Sequence, residues 1–168
     1  MAIADFLVGE FDHEAGSTRK MLERVPEQHV AWAPHPKSKP LGELALHIAG
    51  LPVWVGRAVT APEYDFNGPG APTPGLEPWQ SKDALLAKFE KNVADARAIM
   101  RATSDAQMME PWSLKRGGEV VFTLPRMAAI RSMVFSHTIH HRGQLSVYLR
   151  LKDVPLPSIY GPTADEQS

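Results

Sequence analysis

Ile3, Leu7, Phe11, Ala15, Thr18 and Leu22 recur every three or four positions, which is the period of an amphipathic helix and predicts one from about Ala2 to Arg24. Pro26 and the stretch WAPHPKSKP break that pattern, and Pro40 stands in the first turn of the next helix, where a missing N–H costs little. The second helix starts near Leu41 and presents Leu44, Ala45, Ile48, Leu51, Val55 and Val59 on its apolar face, with a kink expected at Pro52. A third is predicted from Ser81, its N-cap, through Leu85, Phe89, Val93, Ala96 and Met100 to about Ala102. A long fourth begins near Thr123 and Pro125 and runs to about Lys152. Its predicted seam is Met127, Ile130, Val134, His137, His141, Gln144, Tyr148 and Leu151.

The connections carry different signals. From Pro62 to Pro78 there are five prolines and three glycines, too many breakers for a helix or a central strand, so this segment is expected to be a long crossover loop. The run WSLKRGGEVVF holds two short β-prone stretches around Arg116, Gly117 and Gly118 and predicts a small hairpin. The tail DVPLPSIYGPTADEQS cannot continue a helix past Pro155 and Pro157, although Leu156, Ile159 and Tyr160 can pack back. Four helices with two long connections predict an all-α four-helix bundle, with residues 1–168 forming one domain.

Composition narrows the function. The net charge of -1 offers no long-range attraction to a phosphate backbone, so nucleic acid is not an expected partner. No cysteine is present, which excludes disulfides, thiolate metal sites and a cysteine nucleophile belonging to the chain. The first residues carry acids where a signal peptide needs positive charge, and no apolar run is long enough to span a bilayer, so a cytoplasmic location with no membrane partner is expected.

The chemistry-bearing feature is a set of histidines. Residues four apart lie above one another on a helix, so His137 and His141 can aim two imidazoles at one interior point. His47 lies on a stripe with Glu43, Leu51 and Trp54 and can supply a third nitrogen from the facing helix. Three neutral imidazoles suit a first-row divalent ion and leave a position for water or substrate. The pair alone is equally compatible with hydrogen-bonded core histidines or with a polar patch. Metal ligation would remove the cost of burying both rings. His140 lies off the seam, and His13, His29 and His35 are expected to be solvated. Gln144 is expected either to hold a ligand or water or to be a core amide. Glu43 is a candidate to orient His47 or a solvated first-turn acid, and Trp54 and Tyr148 read as packing residues.

Three segments together resemble the DinB family of metalloenzymes: PHPKSKPLGELALHIAG around His47, HTIHHRGQLSVYLRL around His137 and His141, and the trailing VPLPSIYGPTADE. The likeness extends over nearly the whole chain. It implies metal ligands at His47, His137 and His141, zinc, nickel or another divalent ion, an up-down-down-up helix order, and a homodimer. Characterised relatives in that family include transferases and isomerases that use low-molecular-weight thiols such as bacillithiol or mycothiol. The expected function is therefore a metalloenzyme, a transferase or hydrolase, that activates a small thiol or water toward a small-molecule substrate. Its rival is a non-catalytic metal-binding or stress-response protein stabilised by its ion.

Overall fold

The computed structural model describes residues 2–68 and 77–167. Helix α1 spans Ile3–Glu23 and buries Leu7, Val8, Phe11 and Leu22, the face expected from its periodicity. Helix α2, Leu41–Gly50, and helix α3, Val53–Thr60, are the second predicted helix divided at Pro52, whose ring clashes with the carbonyl four residues earlier and which has no N–H to donate. Helix α4, Lys82–Ala102, starts at Ser81, whose side chain accepts from the Ala84 N–H. Its buried stripe is Leu85, Phe89, Val93, Ala96 and Met100, as the sequence predicts.

The all-α expectation is corrected by a three-stranded mixed sheet. Strand β1, Glu63–Asp65, lies parallel to β2, Pro111–Arg116, and β2 pairs antiparallel with β3, Glu119–Pro125. The β2–β3 hairpin was legible, because Gly117 and Gly118 adopt φ of 62° and 88°, which a tight hairpin turn requires. Strand β1 was not. It is a three-residue edge strand directly after Pro62, where a proline does not interrupt a ladder. Asp65 ties it to the hairpin turn by accepting from the Asn67, Gly118 and Gly117 N–H groups, and these bonds hold its carboxyl below the usual range. Residues 69–76 of the expected crossover loop lie outside the described residues. A short helix, α5 (Asp105–Met109), precedes β2.

The fourth predicted helix is also interrupted. Helix α6, Arg126–Ile130, passes into a π-helical segment, Arg131–Ser136, and then into α7, His137–Arg150. The wider turn shifts the buried stripe from the expected seam to Val134, Phe135, Thr138, Arg142, Leu145 and Leu149. His137 and His141 consequently stand half-buried at the edge of the core rather than in it, and Gln144 and Leu151 are exposed. Phe135 stacks on Phe11 at 5.8 Å between ring centroids, anchoring the π segment against α1.

Two buried arginines stitch the connections. Arg126 donates to the carbonyls of Ala58, Val59 and Ala61, satisfying the free end of α3, and pairs with Glu110 at 3.1 Å. Arg142 donates to the Glu14 carbonyl and the Thr18 hydroxyl, both at 3.1 Å, pairs with the Glu14 carboxylate at 2.7 Å, and bonds the Tyr160 hydroxyl. That hydroxyl in turn donates to Glu14, so the exposed Tyr160 fastens the tail to the buried Glu14 of α1 and Arg142 of α7. No helix among the described residues is long and apolar enough to cross a membrane.

Candidate metal centre

His47 lies in the last turn of α2, and the π segment delivers His137 as the first residue of α7 directly opposite it. His141 follows one turn later on the same face. The three sequence-predicted residues converge, with one ligand nitrogen from each lying within 4.8 Å of the other two, an arrangement able to hold a metal ion. The ring centroids are 4.5 to 5.2 Å apart. His47 Nε2 and His137 Nε2 are 3.4 Å apart, close to the roughly 3.3 Å edge of a tetrahedron of nitrogens drawn about 2.05 Å from a zinc-like ion.

His141 Nδ1 meets Gln144 Oε1 at 2.7 Å. That acceptor calls for a proton on His141 Nδ1, which leaves the His141 Nε2 lone pair free for the shared space. His137 turns its Nε2 to His47, and the Met133 backbone carbonyl one turn back favours a proton on the His137 ring. Metal-binding imidazoles are oriented this way by their outer partners.

Electrostatics favour the neutral rings. Burial pushes His47 down to about 4, with the charges of His141, His137 and Lys39 adding to the effect and Glu43 opposing it. Burial is also the main cause that lowers His137, reinforced by His141 and His140. His141 is lowered by burial, His140 and Lys39 against the opposing bond to Gln144. All three imidazoles are therefore uncharged at neutral pH, the form that accepts a cation.

The remaining candidates divide. Gln144 is exposed on α7 and orients His141, so it is not a core amide. Glu43 bonds Lys39 rather than the His47 ring. His140 is exposed, with its ring edge-on to His141 at 4.9 Å. Trp54 packs against Tyr64 and Phe66 and carries the Arg57 guanidinium 4.4 Å over its ring. Sequence reasoning missed Met133, because a backbone acceptor has no residue signature, and Arg142, whose charge argued against a buried position.

The profile of the DinB superfamily matches residues 10–145. The chain is 22% identical over 162 residues to the uncharacterized protein YrdA of Bacillus subtilis (strain 168), covering 96% of this chain and 90% of that one. Its fold is similar to the crystal structure of a DinB-like protein, YjoA, from Bacillus subtilis, with a TM-score of 0.69 at 18% identity over 90% of this chain and 96% of that one. A DinB-like protein from Bacillus cereus ATCC 10987 is similar with a TM-score of 0.67 at 23% identity, over 95% and 98% of the two chains. The profile match covers most of the chain, and its span contains all three converging histidines: the protein belongs to the DinB superfamily.

Proposed function

We propose that the chain is a metal-dependent enzyme, a transferase or hydrolase, whose divalent ion is held by His47, His137 and His141. The observation that carries this reading is the convergence of three neutral imidazoles at the edge of the core, with spacing that suits a tetrahedral ion and, among the described residues, three protein donors. When bound, such an ion supplies positive charge that lowers the pKa of a coordinated thiol or water, making either a nucleophile at neutral pH. The chain's own residues prepare the site. Gln144 fixes the orientation of the His141 ring, burial keeps the rings unprotonated, and the partial exposure of the rings admits a small substrate.

The chain has no cysteine, so in thiol chemistry the sulfur must arrive with the substrate. Zinc and nickel suit an all-imidazole donor set, and low-molecular-weight thiols are the first substrates to test. Pairing of two chains is part of the same reading, supported by Val147 and Leu151, two exposed apolar residues one turn apart on the outer side of α7. The test is thiol consumption by zinc- or nickel-reconstituted protein in the presence of an alkyl or aryl halide. The expected result is turnover that disappears with chelator and with His137→Ala. Reconstituted protein that consumes no thiol and hydrolyses no ester or amide across such a panel would overturn the enzymatic reading.

A further inference from the structure

We infer that the strip of surface where α2 faces α7, running from the histidines toward the start of α2, is a substrate-binding subsite, in which Lys152, Trp32 and Tyr148 receive a small molecule carrying a carboxylate about 10 Å from its metal-binding atom. This rests on the proposed function. The geometry comes from α2 and α7, which meet with His47 opposite His137 and His141. From His141 the same face of α7 continues through Gln144 to Tyr148, seven residues on, which at the helical rise is about 10 Å. On the facing side α2 runs back from His47 to Leu41, whose N–H donates to the Trp32 carbonyl at 2.8 Å. The Trp32 and Tyr148 rings meet edge to face at 5.8 Å, closing the far end of this track.

Among the described residues, one cation along the track has no ion-pair partner. Lys152 Nζ sits 4.1 Å from the centroid of the Trp32 ring, and among the described residues it pairs with no carboxylate. Asp165 is engaged with Arg150 at 2.5 Å. A cation held over an aromatic face keeps N–H donors free for an anion arriving from the side. Lys39 and Glu43, on the α2 side, form an ion pair whose charges offset each other, so Lys152 is the cation that decides the preference. A cationic or neutral tail gains nothing from these groups. A carboxylate gains charge-assisted hydrogen bonds and, beside them, aromatic surface for the intervening chain.

The experiment uses cobalt(II)-reconstituted protein and three thiols of one length, 8-mercaptooctanoate, 8-mercapto-1-octanol and 8-aminooctane-1-thiol, read through the sulfur-to-cobalt absorption band. The carboxylate should bind about tenfold more tightly than the alcohol, the ammonium compound should bind weakest, and the preference should shrink with added salt. Lys152→Met should lose most of the preference while still admitting the alcohol. Equal binding of all three thiols to the wild type would overturn the subsite and leave the metal-and-thiol reading standing. If no thiol perturbs the cobalt spectrum, the thiol reading fails instead. Octanoate against octanol, followed by tryptophan fluorescence on metal-free protein, then decides the subsite. An octanoate preference lost in Lys152→Met supports it, and no preference overturns it.

Discussion

His47 Nε2 and His137 Nε2 face each other at 3.4 Å across the contact between α2 and α7, although 90 residues separate them in the chain. A neutral His47 ring can donate its Nε2 proton across this gap to His137, and a cation bound between the two nitrogens would take that proton's place.

Gln144 tests this orientation without touching the core. Gln144→Ala frees the His141 ring to rotate and should weaken metal affinity about 10- to 100-fold, the usual cost of losing an outer partner. Because the residue is exposed, the unfolding midpoint of the metal-free protein should barely move. Metal competition against a chromophoric chelator, alongside urea unfolding, gives both numbers. A variant that retains wild-type affinity would remove Gln144 from the site.

The depressed histidines set a pH dependence with a defined sign. His47 titrates at about 4 in the folded chain and near its ordinary value, roughly 6.5, when unfolded. Between those values the unfolded state binds more protons, so the stability of metal-free protein is lost as pH falls from about 6.5 to 4, and this contribution levels off below that. His137 and His141, also lowered, act in the same direction. Thermal unfolding of chelator-treated protein from pH 7 to pH 4 should show the decline, and His47→Gln should flatten it. An identical slope in the variant would contradict the assignment.

Much of this architecture was legible in the sequence where the determinant is local. The stripe from Leu85 to Met100 is all buried, and the kink at Pro52 follows from its missing N–H. The histidine set was legible because His137 and His141 are one turn apart and because the flanking segments resemble a known family. Strand β1 was hidden because Glu63–Asp65 is defined by pairing with Ser113–Lys115, a contact across about fifty residues that no local alternation encodes. The π segment was hidden too, since one extra residue in a turn moves the buried face without changing composition. That is why Thr138 and Arg142, rather than His137 and His141, face the core.

The Arg142 network yields a stability prediction. Arg142→Ala leaves the Glu14 carboxylate buried without its cation and should cost about 3–5 kcal/mol. Tyr160→Phe removes one hydroxyl shared by Glu14 and Arg142 and should cost about 1–2 kcal/mol, with the tail becoming more sensitive to protease. Because the three groups touch, the double variant should fall short of the sum. Denaturant unfolding measures all of these, and strict additivity would show that the tail and Arg142 act independently.

The most direct test is a calorimetric titration of zinc into chelator-stripped protein, run for the wild type and for His47→Ala, His137→Ala, His141→Ala and His140→Ala. Each of the three converging histidines offers one nitrogen able to hold an ion, whereas His140 only borders His141. The account predicts one ion per chain for the wild type and for His140→Ala, with affinity reduced at least about 100-fold in each of the other three variants. Wild-type protein that takes up no ion, or single variants at His47, His137 and His141 that bind as tightly as the wild type, would contradict it.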